Sequence, residues 1–323
     1  MKYKILNTIG PIFSAEAQAI LNSCGDVDYK NISQAELLEK AGEYDVLVVG
    51  LGLTINKEVL EAATQLRVIC SATTGLDHID VEYAQQKGIE VLSLRGEEEF
   101  LDTITGTAEL ALGLMLDLVR RIPFAFESVK HNEWKRENFR GHSLFGKTLG
   151  IVGLGRLGKM MARYGRGLGM NVIAFDPHIA PDVFEKAQVD SVDFETLLEK
   201  SDVISIHVHL SNKTENMFNA EVLKKMKPQS YLINTARGKI VNEGDVLNAL
   251  KNKIISGYAT DVLADETTFG ETFAGHPLVE YAMTHDNLIV VPHIGGMTEE
   301  SREATDIFIA EKLKNYFVEK NKE

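Results

Sequence analysis

Short runs of β-branched and aliphatic residues alternate with amphipathic stretches along the first third of the chain. Each run has the length and composition of a strand, and each stretch between runs has helical spacing of its apolar residues. Strands that alternate with helices form a parallel sheet with helices on both faces. The pattern predicts five strands here, at Tyr3–Thr8, Val27–Asn31, Asp45–Val49, Arg67–Ser71 and Ile89–Leu94.

A second alternating set follows in the remainder of the chain. Its predicted strands are Thr148–Val152, Asn171–Phe175, Asp202–His207, Ser230–Asn234, Ile255–Thr260 and Asn287–Val291. A chain of 323 residues is too long for one ordinary hydrophobic core. We therefore predict an α/β protein with two Rossmann-like, doubly wound parallel-sheet domains, the first flavodoxin-like and the second a Rossmann domain, and a cleft between two lobes.

Two helical segments define the domain boundaries. Leu101–Ile122 is apolar almost all round until Pro123, which predicts one buried helix between lobes or subunits. Thr298–Tyr316 also has helical spacing, and a single terminal helix cannot form a domain alone. We expect it to return to the first lobe. The predicted domains are residues 1–100 with 294–323, and an inserted domain of residues 101–293.

Composition and charge restrict the class of partner. Hydrophobic residues make up 44% and charged residues 25% of the chain, which is typical of a folded globular protein. The net charge of −13 opposes binding to nucleic acid or anionic lipid. No uncharged apolar run approaches the ~18 residues of a membrane span. Cys24 and Cys70 are isolated thiols and form no metal-type pair. We expect a cytoplasmic protein with a small-molecule partner, no metal, no nucleic acid and no membrane.

A glycine-rich turn follows the first strand of the second set. Gly153-Leu154-Gly155-Arg156-Leu157-Gly158 lies between a predicted strand and a predicted helix, as in dinucleotide-binding folds. There the first glycine forms the turn, the second admits the diphosphate, and the third lets the helix pack on the strand. Such glycines also occur in plain turns. Asp176 ends the next strand, where an acid binds the ribose hydroxyls and repels the extra phosphate of NADP. This favours NAD as the cofactor.

Three polar residues stand at or just beyond the ends of later strands: Arg237, Glu266 and His293. Ligands of open α/β sheets bind at the carboxyl ends of the strands. A cation that orients a carboxylate, an imidazole that transfers a proton near neutral pH, and an acid that supports it together suit carbonyl reduction. Each residue alone also has an ordinary interpretation, as a surface ion pair, a loop acid or a helix cap.

The segments around these residues resemble the signature series of the D-isomer-specific 2-hydroxyacid dehydrogenases. They are Asn234–Gly238, Asp261–Glu266 and Pro292–Gly296, downstream of the glycine turn. The similarity in order and spacing runs from Ser71 to Thr298. It implies a substrate domain built from both chain ends, an inserted NAD-binding domain, and a homodimer formed through the latter.

The resemblance also implies residue roles. Arg237 would bind the substrate carboxylate and carbonyl, His293 would be the acid/base, and Glu266 would support it. Asp261 would hold the nicotinamide carboxamide, and the stretch containing His207 would line the adenosine side. Substrate contacts are assigned to Thr73, Thr74, Gly75, Arg237 and His293. Cofactor contacts are assigned to Gly153, Leu154, Gly155, Arg156, Leu157, Gly158, Asp176, His207, Thr235, Ala236, Asp261, His293 and Gly295.

The sequence does not identify which 2-hydroxy acid is the substrate. Phosphoglycerate, glycerate with hydroxypyruvate, and related acids all fit the resemblance, and several residues near the expected cleft, His209 among them, depart from the family pattern. Arg95 either contacts a phosphate or second carboxylate, or pairs with Glu97 or Glu98. Because the sequence ends at Glu323, we expect no C-terminal regulatory extension. The alternatives are an NAD(H)-sensing binding protein of the corepressor type and a phosphite-type dehydrogenase.

Overall fold

The computed structural model describes residues 2–266 and 275–320. The chain forms two units, Met1–Ile104 with Met297–Glu323, and Thr105–Gly296. The predicted domain bounds were residues 100 and 293, whereas these units change after residues 104 and 296. The second change comes later because the amides of Ile294 and Gly295 are bonded to Asp261 within the second unit.

The first unit contains a parallel five-stranded sheet in the order β2-β1-β3-β4-β5, which is the flavodoxin-like order and confirms the predicted fold class. Its strands are β1 (Tyr3–Asn7), β2 (Gly25–Tyr29), β3 (Val46–Val49), β4 (Val68–Ser71) and β5 (Glu90–Leu92). β2 starts two residues before the predicted strand, directly after a helix. Its start is set by pairing with β1, from Tyr3 opposite Gly25 to Asn7 opposite Tyr29, and not by its own apolar residues.

Helices cover both faces of this sheet. They are α1 (Ala15–Cys24), α2 (Gln34–Lys40), α3 (Lys57–Ala62), α4 (Val81–Gln86), α5 (Glu98–Leu101) and the C-terminal helix, with short 3₁₀ turns at Gly10–Ile12 and Ala41–Glu43. The C-terminal helix, Glu299–Lys320, packs against α1 and shares a buried apolar cluster with it. Phe317 also stacks on Tyr3, with the ring centroids 3.8 Å apart.

The second unit contains a parallel seven-stranded sheet. Its strands are β6 (Thr148–Val152), β7 (Asn171–Phe175), β8 (Asp190–Ser191), β9 (Val203–Ile206), β10 (Tyr231–Asn234), β11 (Gly257–Thr260) and β12 (Leu288–Val290). The order β12-β11-β10-β9-β6-β7-β8 is the Rossmann order with one added strand, as predicted. β8 was not predicted, because two exposed residues carry no alternating pattern.

The helices of the second unit are α6 (Gly106–Arg120), α7 (Ile122–Lys130), α8 (Arg156–Gly167), α9 (Pro181–Ala187), α10 (Phe194–Lys200), α11 (Ala220–Lys225), α12 (Glu243–Lys251) and α13 (Pro277–Ala282). The C-terminal helix of the first unit is then α14. Further 3₁₀ turns are Arg136–Phe139 and Gly238–Ile240. No helix in the described residues is long and apolar enough to span a membrane.

The helix predicted over Leu101–Ile122 is found as α6, but it begins five residues later than predicted, because α5 ends at Leu101 and residues 102–105 do not continue it. α6 ends where Arg121 takes a left-handed conformation with φ of 60°, and α7 begins at once, with Pro123 in its first turn. Proline is tolerated there because the first-turn amides have no intrahelical partner. The apolar side chains of α6 are buried within their own unit, so its composition does not require a second subunit.

A buried acid ties α14 to α1. The side chain of Asp306 is 1% exposed, accepts a hydrogen bond from the amide of Ser14 at 3.1 Å, and lies 3.2 Å from the guanidinium of Arg302. Burial raises the pKa of Asp306 to about 6, although Arg302 and the Ser14 amide favour the charged form. The folded protein therefore holds this proton more tightly than the unfolded chain. Stability from this site is complete below about pH 4 and is lost as the pH rises through about 6.

We predict that Asp306→Asn removes this pH dependence. Between pH 4 and pH 7 the unfolding free energy of the wild type should fall relative to the variant by up to about 3 kcal/mol. The measurement is urea unfolding across that range. Asp26→Asn removes an exposed ion pair of the same unit and serves as the control. Equal pH slopes in the wild type and in Asp306→Asn would contradict the prediction.

Candidate active site

The three predicted catalytic residues follow three neighbouring strands of the second unit. β10, β11 and β12 are parallel, with Asn234 opposite Thr260 and Thr260 opposite Val290. Arg237, Glu266 and His293 come after these strands at the same edge of the sheet. The structure therefore brings together, at one sheet edge, residues that are widely separated in the sequence.

Asn234 shapes the turn that carries Arg237. Its side-chain oxygen accepts a hydrogen bond from the amide of Ala236 at 3.0 Å, and its side-chain nitrogen donates to the Arg237 carbonyl at 2.9 Å. The next residue, Gly238, lies so close to the backbone of Leu263 that a side chain would collide with it. The turn after β10 is thus packed directly against the segment after β11, which leads to Glu266.

His293 and Glu266 form a direct pair. Nδ1 of His293 lies 2.6 Å from Oε1 of Glu266, and the two side chains are 27% and 26% exposed. The other carboxylate oxygen, Oε2, accepts a hydrogen bond from the amide of Leu263 at 3.1 Å. Within the described residues, Nε2 of His293 has no hydrogen-bond partner. The ring is therefore oriented through one nitrogen, which leaves the other for proton transfer.

Asp261 holds the backbone on which His293 stands. Its carboxylate accepts hydrogen bonds from the amides of Ile294 at 2.6 Å and Gly295 at 2.8 Å, and its carbonyl accepts one from the His293 amide. These bonds fix His293 at a φ of 53°, a left-handed conformation that costs a residue with a side chain roughly 1–2 kcal/mol. Burial raises the pKa of Asp261, while the two amides and His293 act in the opposite direction. A contact of Asp261 with the nicotinamide remains a prediction.

The glycine turn has the geometry that a diphosphate requires. Gly153 has a φ of 92° and lies against the backbone of His207, where a Cβ would approach its carbonyl oxygen to 2.7 Å. Gly158 lies against the carbonyl of Gly153, so α8 packs closely on the turn. The Cβ position of Gly155 faces open space, and no side chain caps the first turn of α8. The backbone amides of the first turn of α8 can thus bind an anion.

The other residues predicted to contact the cofactor present different chemical groups to it. Asp176 accepts hydrogen bonds from the amides of Leu154 and His178, both at 3.0 Å, which fixes its carboxylate at the end of β7. The side chain of Leu154 is buried in the core, so only its backbone can reach a ligand. His207 bonds Ser205 through Nε2 at 2.8 Å. Burial lowers the pKa of His207 to about 4, so it is neutral at physiological pH.

A buried hydroxyl supports the fit of a cofactor. Thr235 is 6% exposed, and within the described part of the chain its Oγ1 has no hydrogen-bond partner. Buried hydroxyls ordinarily find a partner, and a bound ligand would supply one. Together with the open Gly155 and the fixed Asp176, this hydroxyl fits a dinucleotide. In a bound dinucleotide, Gly155 would lie at the diphosphate, Asp176 would bind the ribose, and Thr235 would lie at the nicotinamide end.

The predicted substrate loop lies in the first unit, after β4. Thr73 donates a hydrogen bond from its hydroxyl to the carbonyl of Gly75 at 2.7 Å and contacts Ser71 at 2.8 Å, which closes a tight turn at residues 73–75. The amide of Leu94 donates to the Thr73 carbonyl at 3.0 Å, so the segment with Arg95 is tied to this turn.

Arg95 is exposed and, across residues 2–266 and 275–320, its guanidinium forms no ion pair. The expected alternative, pairing with Glu97 or Glu98, is not found among these residues, and Glu97 pairs instead with Lys312.

Sequence reasoning missed Asn234 and Gly238 as residues that shape the site. Both lie in the quoted signature segment, and the available signal was an Asn directly before a turn with a glycine after it. The partner of Gly238 could not be read from the sequence, because Leu263 is distant along the chain.

Comparison with known proteins identifies relatives of both units. The family described as "D-isomer specific 2-hydroxyacid dehydrogenase, NAD binding domain" matches residues 112–295, which confirms the predicted cofactor. D-3-phosphoglycerate dehydrogenase of Methanocaldococcus jannaschii is 38% identical over 93% of this chain and 55% of its own length. The chain therefore spans little more than half of that relative. Glyoxylate reductase of Thermococcus litoralis is 38% identical over 88% of this chain and 84% of its own.

A solved structure shares the fold at comparable coverage. D-lactate dehydrogenase from Aquifex aeolicus, in complex with NAD and lactic acid, has a TM-score of 0.82 and 27% identity. The alignment covers 97% of this chain and 95% of that one.

Asp176 generates a prediction on cofactor choice. Its fixed carboxylate should repel the additional phosphate of NADPH, so NADH should bind at least tenfold more tightly, about 1.4 kcal/mol. Replacing Asp176 by Ser and Pro177 by Arg should reverse or abolish the preference. The measurement is fluorescence titration of each dinucleotide, which needs no substrate. Asp190→Asn, on the neighbouring strand, should leave the ratio unchanged; equal affinity of the wild type for both dinucleotides would contradict the prediction.

Proposed function

Because this chain belongs to the D-isomer specific 2-hydroxyacid dehydrogenase family, we propose that it transfers a hydride between NAD and C2 of a small D-2-hydroxy acid or 2-keto acid. The observation that carries the proposal is the His293–Glu266 pair, 2.6 Å apart, at the sheet edge where the Arg237 turn also lies. A proton carrier and a cation at one edge are the groups that carbonyl reduction needs.

Each residue has a distinct part in this proposal. NAD, when bound, supplies or accepts the hydride. Arg237 binds the carboxylate and polarises the carbonyl with its planar, permanently charged guanidinium. His293 gives a proton to the carbonyl oxygen during reduction and takes it back during oxidation. Glu266 holds the ring through Nδ1 and stabilises its positive charge. Thr73, Thr74 and Gly75 supply further carboxylate contacts.

The proposed assembly is a homodimer formed through the NAD-binding unit. α7 carries an apolar face that its own unit does not bury: Ile122 is 49%, Phe126 65% and Val129 48% exposed. Their spacing places them on one side of the helix. Trp134, which follows α7, is 85% exposed. Exposed apolar residues in such a group are typical of a protein interface, and a second copy of this chain is the proposed partner.

The proposed location is the cytoplasm. Both cysteines, Cys24 and Cys70, are free thiols, and Cys70 is buried. Unpaired cysteines are usual in a reducing compartment. The small-molecule substrate and dinucleotide cofactor proposed above are also those of metabolic chemistry.

The function is tested by following NADH absorbance with a panel of 2-keto acids. Pyruvate, glyoxylate, hydroxypyruvate and phosphohydroxypyruvate differ in the group beyond the carbonyl. Since Arg95 is exposed next to the substrate loop, Arg95→Gln should raise the KM of the phosphorylated acid about tenfold more than that of pyruvate if the distal group is an anion. Absence of NADH oxidation with every acid would refute the function.

The acid/base assignment predicts different effects for two substitutions. His293→Gln should bind NADH normally but lose about 10²-fold or more in kcat, the usual contribution of general acid–base catalysis. Glu266→Gln should remain active at low pH, with the falling limb of the reduction profile moved to lower pH. The reason is that loss of the adjacent negative charge makes the imidazole easier to deprotonate. The measurements are dinucleotide titration and kcat against pH.

A His293→Gln variant with near wild-type turnover would show that another group carries the proton. If the falling limb of the pH profile for reduction moves to higher pH in Glu266→Gln, then Glu266 does not stabilise the charged imidazole of His293.

The exposed face of α7 predicts the state of association. The wild type should be a dimer by light scattering at micromolar concentration, and Phe126→Lys with Val129→Lys should be a folded monomer, because two charges would have to be buried. Ile12→Lys changes an exposed apolar residue of the other unit and should remain dimeric. A monomeric wild type, or a dimeric double variant, would exclude this interface.

A further inference from the structure

A second His–Glu pair lies next to the first, and no proposed role includes it. Glu243 is the first residue of α12, and its Oε2 lies 3.2 Å from Nε2 of His276. The side chains of His276 and Glu243 are 12% and 23% exposed, so the pair is more buried than an ordinary surface ion pair. The other oxygen of Glu243, Oε1, accepts a hydrogen bond from the amide of Ala264 at 2.8 Å.

Ala264 belongs to the segment that presents Glu266 to His293. The preceding amide, from Leu263, donates to Oε2 of Glu266. Two consecutive amides of one turn are therefore each held by an acid, Leu263 by Glu266 and Ala264 by Glu243. Displacement of the Ala264 amide would shift the turn and, with it, the carboxylate that orients His293.

We propose that Glu243 is a positioning residue for the acid/base pair, acting through Ala264 on Glu266, with His276 holding Glu243 in place. This inference rests on the proposed function and adds a residue to it. Each oxygen of Glu243 has its own partner: Oε1 accepts a hydrogen bond from the Ala264 amide, and Oε2 lies 3.2 Å from the imidazole of His276. A carboxylate can accept at both, whereas the amide group of Gln offers one acceptor and one donor.

Glu243 also has an ordinary structural use, since an acid in the first turn of a helix stabilises that helix by roughly 0.3–1 kcal/mol. Loss of that effect alone would lower stability and leave the chemistry of His293 unchanged. The two roles therefore separate in a measurement that reports on the imidazole rather than on folding.

The test compares Glu243→Ala and the milder Glu243→Gln with the wild type. In Glu243→Ala we expect kcat for keto-acid reduction to fall about tenfold, with NADH affinity within about twofold of the wild type. The falling limb of the pH profile should move to lower pH, in the same direction as in Glu266→Gln. Glu243→Gln should give a smaller change of the same sign, because it keeps one acceptor.

Two further measurements sharpen the result. Glu243→Ala introduced into Glu266→Gln should not move the limb again, because both act through one carboxylate. The matched control is Lys239→Gln, which breaks the exposed ion pair of Lys239 with Asp265, 3.3 Å apart, on the same segment. It should leave the profile unchanged.

The decisive readout does not need turnover. The titration of the His293 imidazole, followed by nitrogen NMR against pH, should have a lower midpoint in Glu243→Ala than in the wild type. A lower midpoint with no activity on any keto acid supports the role of Glu243 and refutes the proposed function. An unchanged midpoint in both variants, whatever their stability, overturns the inference.

Discussion

The site in the second unit depends on the parallel arrangement of β10, β11 and β12. Because parallel strands end at the same edge, the turns that follow them are brought together irrespective of their separation in sequence. Arg237, Glu266 and His293 each lie a few residues beyond such an end. The sheet therefore gathers these three side chains, and the turns need only fix their orientation.

Orientation is achieved mostly by acids that accept hydrogen bonds from backbone amides. The carboxylate of Asp261 accepts hydrogen bonds from the amides that follow His293. Glu266, Glu243 and Asp176 likewise accept from the amides of Leu263, Ala264 and Leu154, respectively. A partly buried amide without a partner is costly, so each acid both satisfies a donor and fixes a turn. The acids that act on a ligand and the acids that hold the backbone are thus difficult to separate by residue type alone.

The sequence predicted the features that depend on local pattern and missed those that depend on contacts between distant turns. Both sheets, the glycine turn and the three polar residues after the strands follow from local pattern and spacing. The start of α6 at Gly106 and the start of α7 directly after Arg121 did not, because the apolar run begins before Gly106 and Pro123 indicated a stop. The two-residue strand β8 could not be predicted either, because it is too short to show an alternation of apolar and polar residues. The partners of Asn234, Gly238 and Glu243 also lay beyond prediction, since each contact depends on which turns the fold places side by side.

The discontinuous first unit has a consequence for the order in which the protein folds during synthesis. α1 and β1 need α14 to cover them, through the Phe317 stack and the buried Asp306, and α14 is synthesised only after the whole second unit. The second unit is continuous from Thr105 to Gly296 and is fully synthesised earlier. The usual order, in which the N-terminal domain folds first, is therefore reversed. Until α14 has been synthesised, the apolar side chains of the first sheet that it covers stay exposed to solvent.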